Sequence, residues 1–219
     1  MLAMGSLLTA CNDDDSVDYT EYYGWRDQNN ALADAFLSDF RTQGSDAYFT
    51  DTIRSNNEPW ALRSTMYRVI RPANEDSLRR INRWITPLYT STLKVHYTLY
   101  DTKSVMEYFE DNNILTDRQN RTNAALMNKV FFDPSCKADT LESKQVEFFD
   151  NFTAGSVITG WGDALQTMHI GDSWLLFIPW YLAYGQTGSG KNIDPYTNLF
   201  FRLELVDITE YGAPLPSEK

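Results

Sequence analysis

Residues 157–208 read VITGWGDALQTMHIGDSWLLFIPWYLAYGQTGSGKNIDPYTNLFFRLELVDI, and no other part of the chain says more about its architecture. After Gly160 the pattern predicts a helix of about two turns that stops at Gly171. The apolar run from Ser173 to Ile178 predicts a strand, and the run from Leu199 to Ile208 predicts the last strand of the chain. The stretch therefore indicates a short helix, two strands and a long aromatic loop between them.

Upstream of this stretch, β-branched and aromatic residues predict further strands. Leu62 to Arg71 is strand-like, and Thr90 to Tyr100 alternates apolar and polar residues with a period of two. Short strands are also predicted at Val130 to Phe132 and at Gln145 to Phe149. Several antiparallel strands combined with one central helix predict an α+β fold.

An amphipathic helix is predicted near the N-terminus, from Tyr19 to Gln43, with Gly44 as its stop. Its apolar side is a stripe of aromatic and aliphatic residues at helical spacing, namely Tyr22, Trp25, Leu32, Phe36 and Phe40. Two interpretations stay open. The stripe docks on the body of the protein, which is the commoner use of such a face, or it forms a dimer interface. Residues 44–60 are polar and turn-rich.

The first residues, MLAMGSLLTAC, are typical of a bacterial lipoprotein signal that ends at Cys11. Small residues precede this cysteine, which we expect to carry the lipid. The polar and acidic residues 12–18 suit a tether between an anchor and a folded body. We therefore expect membrane attachment through lipid alone, because no apolar run approaches the roughly 20 residues of a spanning helix.

Composition excludes several classes of function. Thirty acidic against nineteen basic residues give a net charge of -11, which argues against a nucleic-acid partner. With Cys11 acylated, only Cys136 remains, so no intramolecular disulfide is possible. The two histidines, His96 and His169, are far apart in sequence and have no cysteine pair, so we do not expect a structural metal site. We expect no other cofactor.

A glycine-rich segment, Gly185 to Asn192, partly matches a phosphate-binding loop. The match fails because Asn192 replaces the hydroxyl residue that would hold magnesium, and Pro195 prevents a helix from starting so soon. We interpret this segment as a surface loop.

Several motifs, in order, resemble those of the FKBP-type peptidyl-prolyl isomerases. They are Val95-His96-Tyr97-Thr98, Phe132-Asp133, Val157-Ile158-x-Gly160-Trp161, Ala183-Tyr184-Gly185, Asp194-Pro195 and Leu199-Phe200-Phe201-x-Leu203-Glu204-Leu205. The resemblance implies a twisted antiparallel β-sheet wrapped around a short central helix. It divides the chain into a signal remnant (1–11), a tether with the N-terminal helix (12–60) and an FKBP-like domain (61–210). Residues 101–129 form an insertion in that domain.

The resemblance also assigns an aromatic pocket. Trp161 is its floor, while the Ile158 N–H and the Tyr184 hydroxyl donate hydrogen bonds to a bound ligand. The complete set of implied site residues is Tyr97, Phe132, Asp133, Val157, Ile158, Trp161, Tyr184, Ile193 and Phe201. The family arginine that pairs with the rim aspartate has no clear counterpart here; Lys137 and Lys144 are candidates.

The implied activity is rotation about X-Pro peptide bonds, which requires no nucleophile. The implied partners are proline-containing polypeptides and macrolide-type FKBP ligands. Together with Cys11, the resemblance predicts a lipid-anchored isomerase of the bacterial cell envelope, in the periplasm or at the outer membrane or cell surface, that assists exported proteins to fold. The alternative is a catalytically weak or inactive FKBP-like module that binds an envelope protein. The sequence does not determine the oligomeric state.

Overall fold

We describe a computed structural model of the chain, which covers residues 18–55, 64–72, 86–117, 157–190 and 192–210. Several predicted features lie outside these ranges: Cys11, Phe132, Asp133, Cys136 and the short strands at 130–132 and 145–149. The same holds for residues 118–129, so the extent of the insertion and the domain boundaries stay predictions.

The described part of the chain contains three α-helices and five strands. In chain order they are α1 (Tyr23–Gln43), β1 (Asp51–Ile53), β2 (Thr65–Arg71), β3 (Thr92–Tyr100), α2 (Thr102–Asp111), α3 (Thr159–Leu165), β4 (Ser173–Ile178) and β5 (Leu199–Glu210). Short 3-10 turns occur at Thr20–Tyr22, Gly44–Asp46 and Trp180–Leu182.

The five strands form one sheet in the order β1-β2-β4-β5-β3, and every neighbouring pair is antiparallel. The longest pairing joins β3 to β5, where Tyr97 lies opposite Leu203 and Leu99 lies opposite Phe201. Strand β4 has the predicted bounds, and β5 extends slightly beyond them. The α+β prediction is confirmed.

The front face of the sheet carries the helix that follows the Val-Ile motif. Helix α3 packs on it with Trp161, Ala164 and Leu165, against strand residues that include Val95 and Leu203. All six residues of β4 are buried, which explains why this strand reads as a continuous apolar run rather than an alternating one. Because side chains on both faces of β4 are buried, other parts of the chain must also pack on the back face of the sheet.

The back face is covered by the N-terminal half of the chain. Phe36 of α1 packs edge-to-face against Phe49 and Phe109, with ring centroids 4.8 and 5.2 Å apart, and at 4.9 Å from Phe177 of β4. Phe36 is 1% exposed. Helix α1 therefore docks on the body of the protein, as the first of the two interpretations predicted.

Two segments differ from expectation. The sequence predicts that residues 44–60 are turn-rich, but Ala47, Tyr48 and Phe49 are buried, and Asp51–Ile53 pairs with β2 as an edge strand. Arg68 of β2 holds this segment by donating hydrogen bonds to the carbonyls of Ala47 and Tyr48. Local composition does not predict the buried conformation of this segment, because that conformation depends on contacts with residues distant in sequence.

Helix α2 occupies the first part of the predicted insertion. Asp101 caps it by accepting a hydrogen bond from the Ser104 N–H at 2.8 Å. Its buried residues Val105 and Phe109 join the core on the back of the sheet. The first part of the predicted insertion therefore contributes to the structural core.

Candidate functional site

A glycine brings α3 close to the sheet. A Cβ on Gly160 would lie 2.5 Å from Ile178 Cγ2 and 2.7 Å from Thr65 Oγ1, so a larger residue does not fit without movement. The Ile158 carbonyl starts the helix by accepting from the N–H groups of Trp161 and Gly162, at 3.0 and 3.1 Å. This close approach directs the indole of Trp161 into the front core.

Three rings from three different elements meet on the front face, and we call them the aromatic triad: Tyr97 of β3, Trp161 of α3 and Phe201 of β5. Tyr97 meets Trp161 edge-to-face at 5.0 Å, Trp161 lies 5.5 Å from Phe201, and Tyr97 lies 6.2 Å from Phe201. Trp161 and Phe201 are almost fully buried, whereas Tyr97 is only partly covered. The triad thus has a closed apolar base and a more open edge at Tyr97.

A long connection between β4 and β5 carries Tyr184, and we call residues 179–198 the flap loop; Lys191 within it is not described. Tyr184 is 39% exposed. Burial of the remainder of the side chain raises the pKa of its hydroxyl, and the proximity of the Tyr97 hydroxyl raises it further. The phenol therefore stays protonated and able to donate a hydrogen bond at neutral pH.

The other predicted site residues fall into two groups. Val157, Ile158 and Ile193 are partly buried and pack against the same front core as the triad. Phe132 and Asp133 lie outside the described residues, so the rim that the sequence assigns to them stays a prediction. The structure thus brings six of the nine predicted residues to one face of the sheet: Tyr97, Val157, Ile158, Trp161, Ile193 and Phe201. Tyr184 lies close enough to Tyr97 to interact with it electrostatically.

The glycine-rich part of the flap loop is a tight turn. Ser189 pairs with Ile193 as an isolated antiparallel bridge, and its N–H donates to the Ile193 carbonyl at 2.8 Å. Gly188 has a φ of 67°, and a Cβ there would meet the Ile193 carbonyl oxygen at 2.2 Å. The glycines serve this turn, in agreement with the surface-loop interpretation.

The flap loop is tied to α1 by contacts that the sequence does not reveal. The Asn198 N–H donates to Asn29 Oδ1 at 2.8 Å, and Asn198 Nδ2 donates to the Asn29 carbonyl at 2.7 Å. Both asparagines are fully buried. The two residues are separated by 169 positions, so no local pattern could have identified the pair.

Helix α3 carries a buried carboxylate. Asp163 of α3 is 7% exposed, and this burial raises the pKa of its carboxyl, while a hydrogen bond with Ser55 acts in the opposite direction. Ser55 lies just after β1. Asp163 is not among the predicted site residues.

A separate cleft of about 810 Å³ lies between α1, α2 and the flap loop. Trp25, Met106, Glu107 and Asp194 are among its lining residues. It shares Ile193 with the predicted site, whereas most of its walls come from the elements on the back of the sheet. We place the candidate site at the aromatic triad because the triad carries the predicted motif residues.

Within the residues described above, no helix is both long and apolar enough to cross a membrane. The same residues contain no group of three or more His, Cys, Asp or Glu side chains placed to hold a metal ion.

Residues 119–206 match the family model of the FKBP-type peptidyl-prolyl cis-trans isomerases. This part of the chain belongs to the FKBP-type family. The match contains α3, β4, the flap loop and most of β5, and hence Trp161, Tyr184 and Phe201. It begins after β3, so Tyr97 lies upstream of the matched residues.

Three relatives of the FKBP-type domain illustrate the similarity. The macrophage infectivity potentiator of Trypanosoma cruzi is 48% identical over 68 residues, which are 31% of this chain and 35% of the relative. An FKBP-type 22 kDa peptidyl-prolyl cis-trans isomerase of Escherichia coli is 46% identical over 57 residues, 26% of this chain and 28% of the relative. The outer membrane protein MIP of Legionella longbeachae is 40% identical over 57 residues, 26% and 24%.

The similarity is thus strong but confined to part of each protein. The chain spans between about a quarter and a third of the length of these relatives. Helix α1 and strands β1 to β3 of this chain lie outside the family match, and the structure alone reveals how they pack.

Proposed function

We propose that this protein catalyses cis-trans isomerisation of X-Pro peptide bonds in other polypeptides. The observation that carries the proposal is the aromatic triad, with the Tyr184 hydroxyl near Tyr97 at its open edge. The FKBP-type family match and the isomerase name of the Escherichia coli relative support the same activity.

The reaction needs an environment rather than a nucleophile. Rotation of an X-Pro amide has a barrier of about 18–20 kcal/mol, because the planar amide is stabilised by resonance. The twisted amide has less charge separation than the planar form, so an apolar aromatic cage favours it relative to the ground state. A differential stabilisation of about 4 kcal/mol corresponds to a rate increase of about a thousandfold.

Two hydrogen-bond donors orient the substrate in this proposal. The Ile158 N–H precedes the first turn of α3, so it is not part of the hydrogen-bond ladder within that helix. The Tyr184 hydroxyl is protonated at neutral pH, since a tyrosine ordinarily ionises near pH 10 and burial raises the pKa of this one further. In this proposal, both donors hold the carbonyls on either side of the proline while its ring lies on the triad. Phe132 and Asp133 would complete the rim.

Exchange spectroscopy on a short X-Pro peptide tests the proposal directly. We expect the wild-type protein to accelerate cis-trans exchange, and a macrolide-type FKBP ligand to suppress the acceleration. Trp161→Leu removes the indole and Tyr184→Phe removes only a hydroxyl, and each should lower kcat/KM by about fivefold or more.

Tyr108→Phe is the matched control, since it removes a hydroxyl from α2 on the opposite face of the sheet. It should leave the exchange rate unchanged. Failure of the wild-type protein to accelerate exchange, while it still binds the peptide, would support the alternative function, an inactive module that binds an envelope protein.

The proposed location is the bacterial cell envelope, with clients among exported proteins. The lipoprotein-like residues before Cys11 support an acyl anchor, and the Legionella relative is named as an outer membrane protein. Expression of the complete precursor in bacteria fed a labelled fatty acid tests the anchor. Label should enter the wild-type protein and be absent from Cys11→Ser; equal labelling of both would contradict it.

A further inference from the structure

Helix α1 holds both ends of the flap loop. At the end before β5, the side chain and carbonyl of Asn29 accept the two hydrogen bonds from Asn198. Asn198 Oδ1 in turn accepts from the Trp180 N–H at 2.9 Å, at the other end of the loop. Thr102 of α2 donates to the Asn198 carbonyl. One buried asparagine thus joins α1, α2 and both ends of the flap loop.

Further contacts reinforce this junction. Trp180 Nε1 donates to Asn30 Oδ1 at 3.0 Å, and Trp25 Nε1 donates to Thr197 Oγ1 at 2.8 Å. The ring of Tyr196 stands edge-to-face between those of Trp180 and Tyr23, at 5.1 and 6.3 Å. Tyr196 has a φ of 59°, a conformation that bulky residues seldom adopt, and these contacts hold it there.

The flap loop has little regular structure of its own between these two ends. Apart from a 3-10 turn and the single Ser189–Ile193 bridge, its described residues are turns and irregular backbone. Fixing such a segment costs conformational entropy at every residue. The contacts with α1 offset that cost, and Tyr184 lies within the loop that they fix.

We propose that α1 is a positioning element of the isomerase site, and that Asn29 holds the flap loop with Tyr184 over the aromatic triad. The inference rests on the proposed function and adds a residue to it from outside the family match. Asn29 acts through Asn198 and the flap loop; it is a positioning residue and does not contact the substrate.

Asn29→Ala is the central variant. It leaves the buried Asn198 N–H without its acceptor, so the flap loop should open more often. We expect hydrogen exchange at the amides of Trp180, Gly185 and Asn198 to accelerate about tenfold, while the amides of β4 stay near their wild-type rates. The kcat/KM for the X-Pro peptide should fall about tenfold, mainly because KM rises.

Phe36→Leu is the matched structural control. Phe36 is on the same helix, but it packs against Phe49, Phe109 and Phe177 on the back of the sheet. It should lower Tm without a selective change in the flap amides or in KM. Equal effects of both substitutions on the flap amides and on KM would reduce Asn29 to a purely structural role and overturn the proposal.

A second pair of variants tests the junction at a less buried side chain. Asn30→Ala removes the acceptor of the Trp180 indole, whereas Asn30→Asp retains an oxygen at that position. We expect the alanine variant to raise KM and the aspartate variant to recover most of the loss.

Unchanged kcat/KM in Asn29→Ala, despite faster hydrogen exchange in the flap loop, would also contradict the proposal that Asn29 positions this loop.

The two proposals can fail separately. Absence of isomerase activity in the wild-type protein would overturn the proposed function only. Hydrogen exchange of the flap loop and affinity for the proline peptide would then decide the role of Asn29: selective loosening with weaker binding supports it, and no change in either overturns it.

Discussion

Gly160 lies directly against Ile178, so that α3 and β4 are in contact at a position that leaves no space for a methyl group. An added Cβ would be 2.5 Å from Ile178 Cγ2, a methyl carbon on a fully buried side chain. We predict that Gly160→Ala lowers the free energy of unfolding by about 2 kcal/mol, because the helix must move away from the sheet. Chemical denaturation monitored by tryptophan fluorescence measures the change.

Gly24→Ala is the matched control for this substitution. Gly24 lies in the first turn of α1 with no atom within 4 Å of its added Cβ. Alanine favours a helix over glycine by up to about 1 kcal/mol, so this variant should be unchanged or slightly more stable. A loss at Gly24 equal to that at Gly160 would contradict the role of the α3–β4 contact.

The buried carboxylate of Asp163 should make stability depend on pH. Burial raises its pKa in the folded state, so the folded protein favours the protonated form. Its favourable contribution is complete below the unfolded pKa, near 3.9, and is lost as pH rises through the folded value. We predict that Asp163→Asn is more stable than wild type at pH 7 by about 1 kcal/mol, and that the difference vanishes near pH 3.5.

Denaturant midpoints at the two pH values measure this difference. The wild-type protein at each pH is the reference. A destabilised Asp163→Asn at pH 7 would indicate that the hydrogen bond with Ser55 outweighs the cost of burial.

Tyr100 should contribute to alkaline unfolding. It is 5% exposed, and burial raises its pKa to about 12 despite the opposing charge of Arg202. Free tyrosine ionises near pH 10, so the stabilisation is complete below that pH and declines as pH rises to about 12. We predict that Tyr100→Phe loses less stability than wild type between pH 10 and 12, by about 2 kcal/mol. Denaturant midpoints across this range measure the loss, and identical slopes for both proteins would exclude Tyr100 as the titrating group.

The Tyr184 hydroxyl gives the proposed isomerase reaction a predicted pH profile. Its pKa is raised above its ordinary value by burial and by Tyr97, so it remains a donor throughout the neutral and mildly alkaline range. We expect peptide affinity to be constant from pH 6.5 to about 9.5. The Tyr184→Phe protein should bind more weakly by a constant factor over that range. A wild-type affinity that falls with a midpoint near pH 8 would show that another group controls binding.

Sequence patterns predicted the elements whose signal is local. The apolar run of β4, the alternation of β3 and the helical spacing in α1 each identified an element. The motif residues Tyr97, Trp161 and Phe201 do converge, because they lie on elements whose type was recognised. Periodicity fails for Ala47 to Phe49, since three residues are too few to define a period and their burial depends on Phe36 and Arg68.

The junction around Asn198 was invisible for a different reason. An asparagine before a strand usually belongs to a solvated turn. Only the folded chain shows that this one is fully buried and bonded to Asn29. Buried polar networks depend on the geometry between distant segments, whereas hydrophobic patterns depend mainly on spacing.

Because the sheet has a hydrophobic core on each face, only some fragments of this protein can be expressed without exposing apolar residues. Along β4, Trp174, Leu176 and Ile178 face the core under α3, while Leu175 and Phe177 face the core under α1. Expression of residues 61–210 alone would remove α1 and expose Leu175 and Phe177 together with Phe200 of β5. Such a fragment would tend to aggregate. Fragments for solution work should therefore begin before Thr20, so that every layer of the protein is retained.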